Sequence, residues 1–89
     1  MLERELIVSN RLGLHARATA KLVRTLSSFR CNATLAAKGR EVNAKSIMGV
    51  MLLAAGQGTP VTARLEGEDE AQALDALVAL FERRFDEDS

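Results

Sequence analysis

The chain has 89 residues, of which 12 are basic, 12 are acidic, one is histidine and one is cysteine. A chain this short does not hold two hydrophobic cores, and a share of 47% hydrophobic and 27% charged residues excludes a disordered or fibrous protein. We therefore predict one globular domain over residues 1–89. The zero formal net charge and the presence of only three aromatic residues argue against nucleic-acid binding.

No apolar run in the sequence reaches the roughly 18 residues that a membrane-spanning helix requires. Residues 1–5 are too acidic and too poor in apolar side chains for a signal peptide. Cys31 is the only cysteine, so an internal disulfide is excluded. We expect a cytoplasmic protein that does not insert into membranes.

The basic and acidic side chains are unevenly distributed along the chain. Residues 11–45 contain eight basic residues and one acid, Glu41, whereas residues 66–89 contain nine acids and two bases, Arg83 and Arg84. Ordinary solvated charges account for any one of these residues, but a cluster of one sign steers an oppositely charged partner. We therefore expect a basic surface on a protein that is neutral as a whole.

The first half of the chain predicts a strand, a helix and a hairpin. Polar and apolar side chains alternate over residues 2–8, as they do in a half-buried strand. From Ala16 to Phe29 the apolar period becomes helical, with basic residues on the opposite face. Residues 31–37 alternate again, and Lys38-Gly39 is typical of a two-residue hairpin turn before a short strand at residues 40–43.

The second half predicts a short helix, a strand and a longer helix. Ser46 is a favourable N-cap for a helix from Ile47 to about Leu53, and Pro60 opens a fourth strand. Acids at residues 68–70 precede the last helix, and residues 86–89 are expected to form a frayed tail. The apolar stripe of this helix comprises Leu74, Leu77, Val78, Phe81 and Phe85.

The predicted element order is therefore β-α-β-β-α-β-α. Strands that alternate in polarity have one solvated face, so we predict an antiparallel sheet whose other face is covered by the helices. The fold class is α+β, an open-faced sandwich. This pattern leaves the order of the strands in the sheet open.

His15 is the candidate functional residue, because it lies where the loop after the first strand meets the first helix. A helix N-terminus binds anions, and its dipole disfavours imidazolium, which keeps the ring available as a nucleophile. Arg17 carries a planar set of donors that suits a phosphoryl group. The alternative is that His15 only caps the helix. The sequence has no second histidine and no suitably spaced cysteine, so we expect no metal site.

Two segments of the sequence resemble the HPr family, the histidine-containing phosphocarriers of the phosphoenolpyruvate-dependent sugar phosphotransferase system. Residues 13–18 read GLHARA and resemble the active-site motif of that family. Residues 42–51 read VNAKSIMGVM and resemble its second signature, which Gln57-Gly58 continues. The resemblance covers the chain up to about Phe85, and it implies four antiparallel strands in the order 1-4-2-3 with three helices on one face.

The resemblance also implies roles for the residues of the first motif. His15 accepts a phosphoryl group from phosphorylated enzyme I at its Nδ1 atom and passes it to a histidine of a IIA component. Arg17 stabilises the phosphate, and the backbone amides of Ala16 and Arg17 donate hydrogen bonds to it. The protein is then a monomeric carrier that forms a phosphohistidine, needs no cofactor and is not an enzyme with its own turnover.

Ser46 matches the residue that an ATP-dependent HPr kinase/phosphorylase modifies in regulated members of the family. A phosphate at a helix N-terminus is favourable, and its charge of about −2 would repel an acidic partner. The alternative is that Ser46 only caps its helix. A regulatory binding module that acts mainly through Ser46 is a second hypothesis for the whole protein.

The short helix after Ser46 is apolar on every side, although only one of its faces can be buried on a sheet. Val50 and Leu53 fit the core, which leaves a set of exposed residues that resembles the docking surface of the family. We predict partner contacts for Ile47, Met48 and Met51, for Ala20 on the first helix, and for a basic rim formed by Lys21, Arg24 and Lys45.

Ala18 departs from the family pattern, in which many members have proline at this position. Proline pre-sets the helical φ of the first turn, so we expect alanine to have a modest effect on the order around His15. The departure leaves two branches of the family open. One is a carrier for sugar transport, and the other is a nitrogen-related carrier that uses the same histidine in regulation.

Overall fold

A computed structural model describes residues 1–87 of the chain. Its helices and strands follow in the predicted order and end with one short 3₁₀ turn. Within these residues no helix is both long enough and apolar enough to cross a membrane. The elements are β1 (Leu2–Ile7), α1 (Ala16–Ser27), β2 (Asn32–Ala37), β3 (Arg40–Asn43), α2 (Ile47–Leu52), β4 (Pro60–Glu66), α3 (Glu70–Glu82) and the 3₁₀ turn (Arg84–Asp86).

The four strands form an antiparallel sheet in the order β1-β4-β2-β3. This confirms the predicted class and the strand order that the family resemblance implied. In β1 and β4, Ile7 lies opposite Pro60. The predicted hairpin turn joins β2 to β3, where Lys38 and Gly39 have φ values of +54° and +78°, the left-handed pair that suits a two-residue turn.

The core lies between the helices and one face of the sheet. Val61, Ala63 and Leu65 of β4 point into it, and each is at most 1% exposed. Leu22 and Leu26 of α1 are fully buried in the same cluster. The faces that the apolar periodicity of these strands and helices predicts to be internal are therefore the buried faces.

The chain after α3 differs from the prediction. The helix ends at Glu82, and residues 84–86 have φ values between +54° and +62°, so the chain turns back instead of continuing the helix. Phe85, which was predicted on the helical stripe, is fully buried from this turn, and its ring centroid lies 5.0 Å from that of Phe81. Burial of this large side chain offsets the cost of a left-handed backbone at non-glycine residues.

The start of the segment that was predicted to be a frayed tail makes specific contacts. Lys21 Nζ donates a hydrogen bond to the Phe85 carbonyl oxygen at 2.9 Å. Glu87 then contacts Asn10 and His15. Asp86 and Glu87 thus differ from the expectation, while residues 88–89 lie outside the described residues.

Asp69 connects the beginning of α3 to the chain just before β2. Its carboxylate oxygens accept hydrogen bonds from the backbone amides of Arg30, at 2.8 Å, and Cys31, at 2.9 Å. The hydrogen bond from the Arg30 amide lowers the pKa of the Asp69 carboxyl below its usual value, and the Cys31 amide lowers it further, although partial desolvation opposes both. The carboxylate therefore fixes the position at which the last helix begins.

The burial of Phe85 predicts a large effect of truncation. Phe85→Ala should lower the free energy of unfolding by about 3–5 kcal/mol, because it leaves a cavity in the core. Urea denaturation followed by circular dichroism measures this change. Leu12→Ala is a suitable control because Leu12 is 68% exposed, and its effect should stay within about 0.5 kcal/mol. An equally small effect of Phe85→Ala would show that the turn does not pack as described.

The Asp69 carboxylate predicts a pH-dependent stability. Asp69→Asn should destabilise the protein at neutral pH, because the amide has one acceptor oxygen where two backbone donors converge. A carboxyl group with a lowered pKa in the folded state contributes stability above its unfolded pKa and loses it as the pH falls through the folded pKa. The difference between the wild type and Asp69→Asn should therefore shrink in acid.

Urea denaturation at a series of pH values tests this dependence. Asp75→Asn, at an exposed position of α3, is the matched control and should track the wild type throughout. A destabilisation by Asp69→Asn that stays constant down to strongly acidic pH would contradict the role assigned to the charge.

Candidate functional site

The backbone before α1 holds His15 at the N-cap position of that helix. Gly13 has a φ of +67°, and a Cβ added there would lie 2.5 Å from the Ala55 carbonyl oxygen, so only glycine fits. Leu14 N donates to the same oxygen at 2.9 Å. Thr19, which is fully buried, donates from Oγ1 to the Leu14 carbonyl at 3.1 Å. Hydrogen bonds at both the amide and the carbonyl of Leu14 thus fix the loop immediately before His15.

Both nitrogens of the His15 ring take part in hydrogen bonds. His15 is the N-cap of α1, and its Nδ1 atom accepts a hydrogen bond from the backbone amide of Arg17 at 3.3 Å. On the other edge of the ring, Nε2 contacts the Glu87 Oε2 atom, and because a carboxylate only accepts, Nε2 is the donor. An acceptor role at Nδ1 and a donor role at Nε2 together assign the Nε2–H tautomer of the neutral ring. The lone pair of Nδ1 therefore points towards the helix N-terminus.

The cationic side chains beside His15 differ in how they are held. One open depression is lined by His15 and Arg17 together with Arg11 and Lys21. The guanidinium groups of Arg11 and Arg17 form no ion pair or hydrogen bond within residues 1–87, whereas Lys21 is bonded to the Phe85 carbonyl. Arg17 thus lines the same depression as the His15 ring, and Arg11 is an additional cation that the sequence analysis did not single out.

Asn10 and Glu87 are two further residues of this site that the sequence analysis missed. Asn10 is fully buried, and its Nδ2 atom donates to the Gly13 carbonyl at 2.8 Å and to Glu87 Oε1 at 3.0 Å. The hydrogen bond from Asn10 lowers the pKa of the Glu87 carboxyl, and the contact with His15 lowers it further, although desolvation acts in the other direction. Glu87 is therefore a carboxylate held between a buried amide and the imidazole.

The basic residues predicted to form a rim do not all lie beside His15. Lys45 Nζ donates to the Phe29 carbonyl at 2.7 Å, close to the C-terminal end of α1. Lys21, in the middle of the same helix, lines the depression beside His15, and Arg24 is exposed one turn further along α1. The predicted rim thus extends from the His15 depression to the C-terminal end of α1.

Ser46 caps α2 as predicted. Its Oγ atom accepts a hydrogen bond from the Gly49 amide at 3.1 Å, and the side chain is half-buried. Since Lys45 contacts Phe29 while Ala55 contacts Leu14, α2 begins near the C-terminal end of α1 and the chain returns to the His15 loop after α2 ends. Ser46 and His15 therefore lie at opposite ends of this helical layer.

The apolar patch on α2 has the predicted division between core and surface. Val50 is fully buried and Leu53 is 2% exposed. The exposed residues are Ile47, Met48, Met51 and Leu52, and we call them the apolar patch. Met48 is the most open of them, with 78% of its surface exposed. Leu52, and Leu12 in the His15 loop, extend the apolar surface beyond the predicted set, and Ala20 on α1 is half-buried.

Residues 1–87 contain no cluster of three or more histidine, cysteine or carboxylate side chains in a position to hold a metal ion.

Ala18, the position at which many family members have proline, is fully buried in the first turn of α1.

Known proteins match this chain over nearly all of its length. Residues 2–83 match the family described as "PTS HPr component phosphorylation site". The Phosphocarrier protein HPr of Xylella fastidiosa (strain 9a5c) is 70% identical over 89 residues and is covered, like this chain, over 100% of its length. The Phosphocarrier protein NPr of Shewanella violacea is 40% identical over 88 residues, which cover 99% of this chain and 97% of that protein.

A solved structure extends the comparison from sequence to fold. The crystal structure of HPr-C-His from Thermoanaerobacter tengcongensis superposes with a TM-score of 0.96 at 43% identity and covers 100% of both chains. Because the family match spans residues 2–83 and the fold agrees with that of a solved member, the chain belongs to the HPr family of phosphocarrier proteins of the phosphotransferase system.

Proposed function

We propose that His15 accepts a phosphoryl group at Nδ1 from phosphorylated enzyme I and transfers it to a histidine of a IIA component. The observation that carries the proposal is the pair of hydrogen bonds at the ring, which leaves the Nδ1 lone pair directed at a helix N-terminus. A helix N-terminus favours a phosphate because its amides are free to donate and its dipole end is positive. The ring thus presents a nucleophilic nitrogen where an anion is stabilised.

In the proposed transfer, one bond to phosphorus forms as another breaks. The Nδ1 lone pair attacks the phosphorus atom, and the electron pair of the broken bond stays with the donor. The Arg17 amide, which donates to Nδ1 before the reaction, becomes free to donate to a phosphoryl oxygen. The Ala16 amide beside it and the Arg17 guanidinium supply further donors for the same charge.

The protein acts in this proposal as a carrier and not as a catalyst. His15 is consumed by phosphorylation and regenerated only when the next protein removes the group, so no turnover occurs on the chain alone. The chemistry uses protein groups only and requires no cofactor or metal. We propose that the carrier acts in the cytoplasm as one domain over residues 1–89. We also propose that it is a monomer, since transient docking on successive partners needs an accessible site.

Docking on enzyme I and on the IIA component is proposed to use the apolar patch. Its four side chains are exposed on a short helix whose opposite face is buried, as in a surface that a partner covers. The chain returns from this helix to the His15 loop through Ala55, so a partner on the patch lies beside the phosphoryl site. The exposed Arg17 and Arg24 favour an acidic partner surface.

A nitrogen-related carrier is the second candidate function. The similarity to a relative named NPr favours it. Alanine in place of the common proline at position 18 leaves both branches open. The chemistry at His15 is the same in both branches, and the difference lies in which enzyme I donates and which IIA component accepts.

A phosphorylation assay tests the function and the branch together. With phosphoenolpyruvate and enzyme I, the wild type should gain one acid-labile phosphate by intact mass, and His15→Ala should gain none. Arg17→Lys should accept the group about tenfold more slowly, because lysine lacks the planar fork of donors. Assays with enzyme I from the sugar branch and from the nitrogen branch compare the two candidate functions through their rates.

Ser46→Ala is the matched control for this assay, since it removes a hydroxyl at the other end of the helical layer and should leave the acid-labile phosphate in place. A wild type that gains no phosphate from either enzyme I, or a His15→Ala variant that still gains it, would overturn the proposal.

We also propose that phosphorylation of Ser46 by an ATP-dependent HPr kinase regulates docking. Ser46 directly precedes Ile47 and Met48 of the apolar patch, so a phosphate there would lie at its edge. The phosphate would also sit at the N-terminus of α2, where its charge is tolerated by the fold. The hypothesis of a protein that acts mainly through Ser46 is less well supported, because it leaves the arrangement at His15 without a use.

Ser46→Asp tests this regulation without removing the helix cap, because aspartate is also a favourable N-cap. The variant should bind enzyme I about tenfold more weakly by titration calorimetry, because it adds negative charge beside the docking surface. Gln72→Glu, at an exposed position of α3, adds the same charge elsewhere and should bind like the wild type. Unchanged affinity of Ser46→Asp, together with no acid-stable phosphate after incubation with the kinase and ATP, would contradict the proposal.

A further inference from the structure

The segment that follows Phe85 is held against the His15 ring by three separate contacts. Phe85 is fully buried, so it anchors the segment in the core. Lys21 Nζ donates to the Phe85 carbonyl oxygen at 2.9 Å. Asn10, which is itself fully buried, donates from Nδ2 to Glu87 Oε1 at 3.0 Å. These contacts leave the second oxygen of the Glu87 carboxylate directed at His15.

The second oxygen, Oε2, accepts the hydrogen bond from His15 Nε2. A carboxylate in this position fixes the proton on Nε2, since the alternative tautomer would face it with an unprotonated nitrogen. The same arrangement keeps Nδ1 free of a proton. The Glu87 side chain is only 16% exposed, so solvent does little to loosen this contact.

The charge on the ring changes during the proposed transfer. When Nδ1 bonds to phosphorus while Nε2 keeps its proton, the imidazole acquires a positive charge, and the donor keeps the electron pair of the bond that breaks. The Glu87 carboxylate already contacts Nε2, so it is placed to stabilise that charge. The incoming phosphoryl group binds at the opposite edge of the ring, where its repulsion from Glu87 acts over a longer distance than the attraction of Glu87 for the ring.

We propose that Glu87 is a positioning residue for His15, which holds the Nε2–H tautomer and stabilises the positive ring that forms as Nδ1 takes the phosphoryl group. Asn10 supports it by holding the other carboxylate oxygen. The proposal rests on phosphoryl transfer at His15, and it extends the functional site from the loop before α1 to the chain after α3.

Two substitutions separate the hydrogen bond of Glu87 from its charge. Glu87→Ala removes both, whereas Glu87→Gln keeps an acceptor oxygen and removes the charge. Nitrogen-15 NMR of the His15 ring reports the tautomer in the unphosphorylated protein. Glu87→Ala should show a mixture of tautomers where the wild type shows Nε2–H. Glu87→Gln should lie between the two, because its one oxygen accepts from either His15 Nε2 or Asn10 Nδ2.

The rate of phosphoryl uptake from enzyme I is the second measurement. Glu87→Ala should be slower by about tenfold, the lower end of what one hydrogen bond to a charged group supplies. Glu87→Gln should also be slower than the wild type, although less so, because its oxygen still orients the ring whenever it faces His15 and not Asn10. Glu82→Gln removes a negative charge at an exposed position at the end of α3 and should match the wild type in both measurements.

An unchanged tautomer in Glu87→Ala would overturn the positioning role, as would an uptake rate equal to or faster than that of the wild type. A faster rate would identify the carboxylate as a barrier to the phosphoryl group. Failure of the proposed function is distinguishable, because a wild type that takes no phosphate would leave the tautomer comparison intact.

Discussion

The position of His15 depends on a close backbone contact between two loops. Gly13 and Leu14 lie against Ala55, with a hydrogen bond of 2.9 Å from the Leu14 amide, and the left-handed φ of Gly13 brings the chains this close. Ala55 follows α2, which carries the apolar patch. One contact therefore sets the start of α1, the direction of the His15 ring and the distance between the phosphoryl site and the surface proposed for docking.

The capping role of His15 and its proposed chemical role support each other. An N-cap side chain must accept a hydrogen bond from an amide of the first turn, and a histidine can do so only from an unprotonated nitrogen. Capping by Nδ1 therefore keeps that nitrogen free of a proton. The Glu87 contact at Nε2 acts in the same direction from the other edge of the ring. Helix capping and phosphoryl acceptance, the two roles that the sequence leaves open for His15, therefore depend on the same hydrogen bonds.

The sequence predicts most of the fold, because hydrophobic periodicity and turn chemistry act locally. The alternation in β4, the N-cap at Ser46 and the Lys38-Gly39 turn all have the expected geometry. The end of α3 is different, because Arg84 to Asp86 adopt positive φ values. The cost of this backbone is offset by burying Phe85 in a core formed by distant residues. Asn10 and Glu87 are missed for the same reason: they bond to each other across 77 positions of the sequence, and nothing in the local pattern marks either of them.

The sheet order also constrains how the chain reaches this arrangement. β2 and β3 are joined by a two-residue turn and can pair early, whereas the pairing of β1 with β4 closes a loop of more than fifty residues and carries a larger entropic cost. β4 also lies between β1 and β2, so the sheet becomes continuous only when this strand is in place. Ala55 is only five residues from the start of β4, so we expect the contact that orients His15 to form together with that late step. A partly folded chain would thus offer its hairpin to solvent, but it would not yet offer a correctly oriented histidine to a phosphoryl donor.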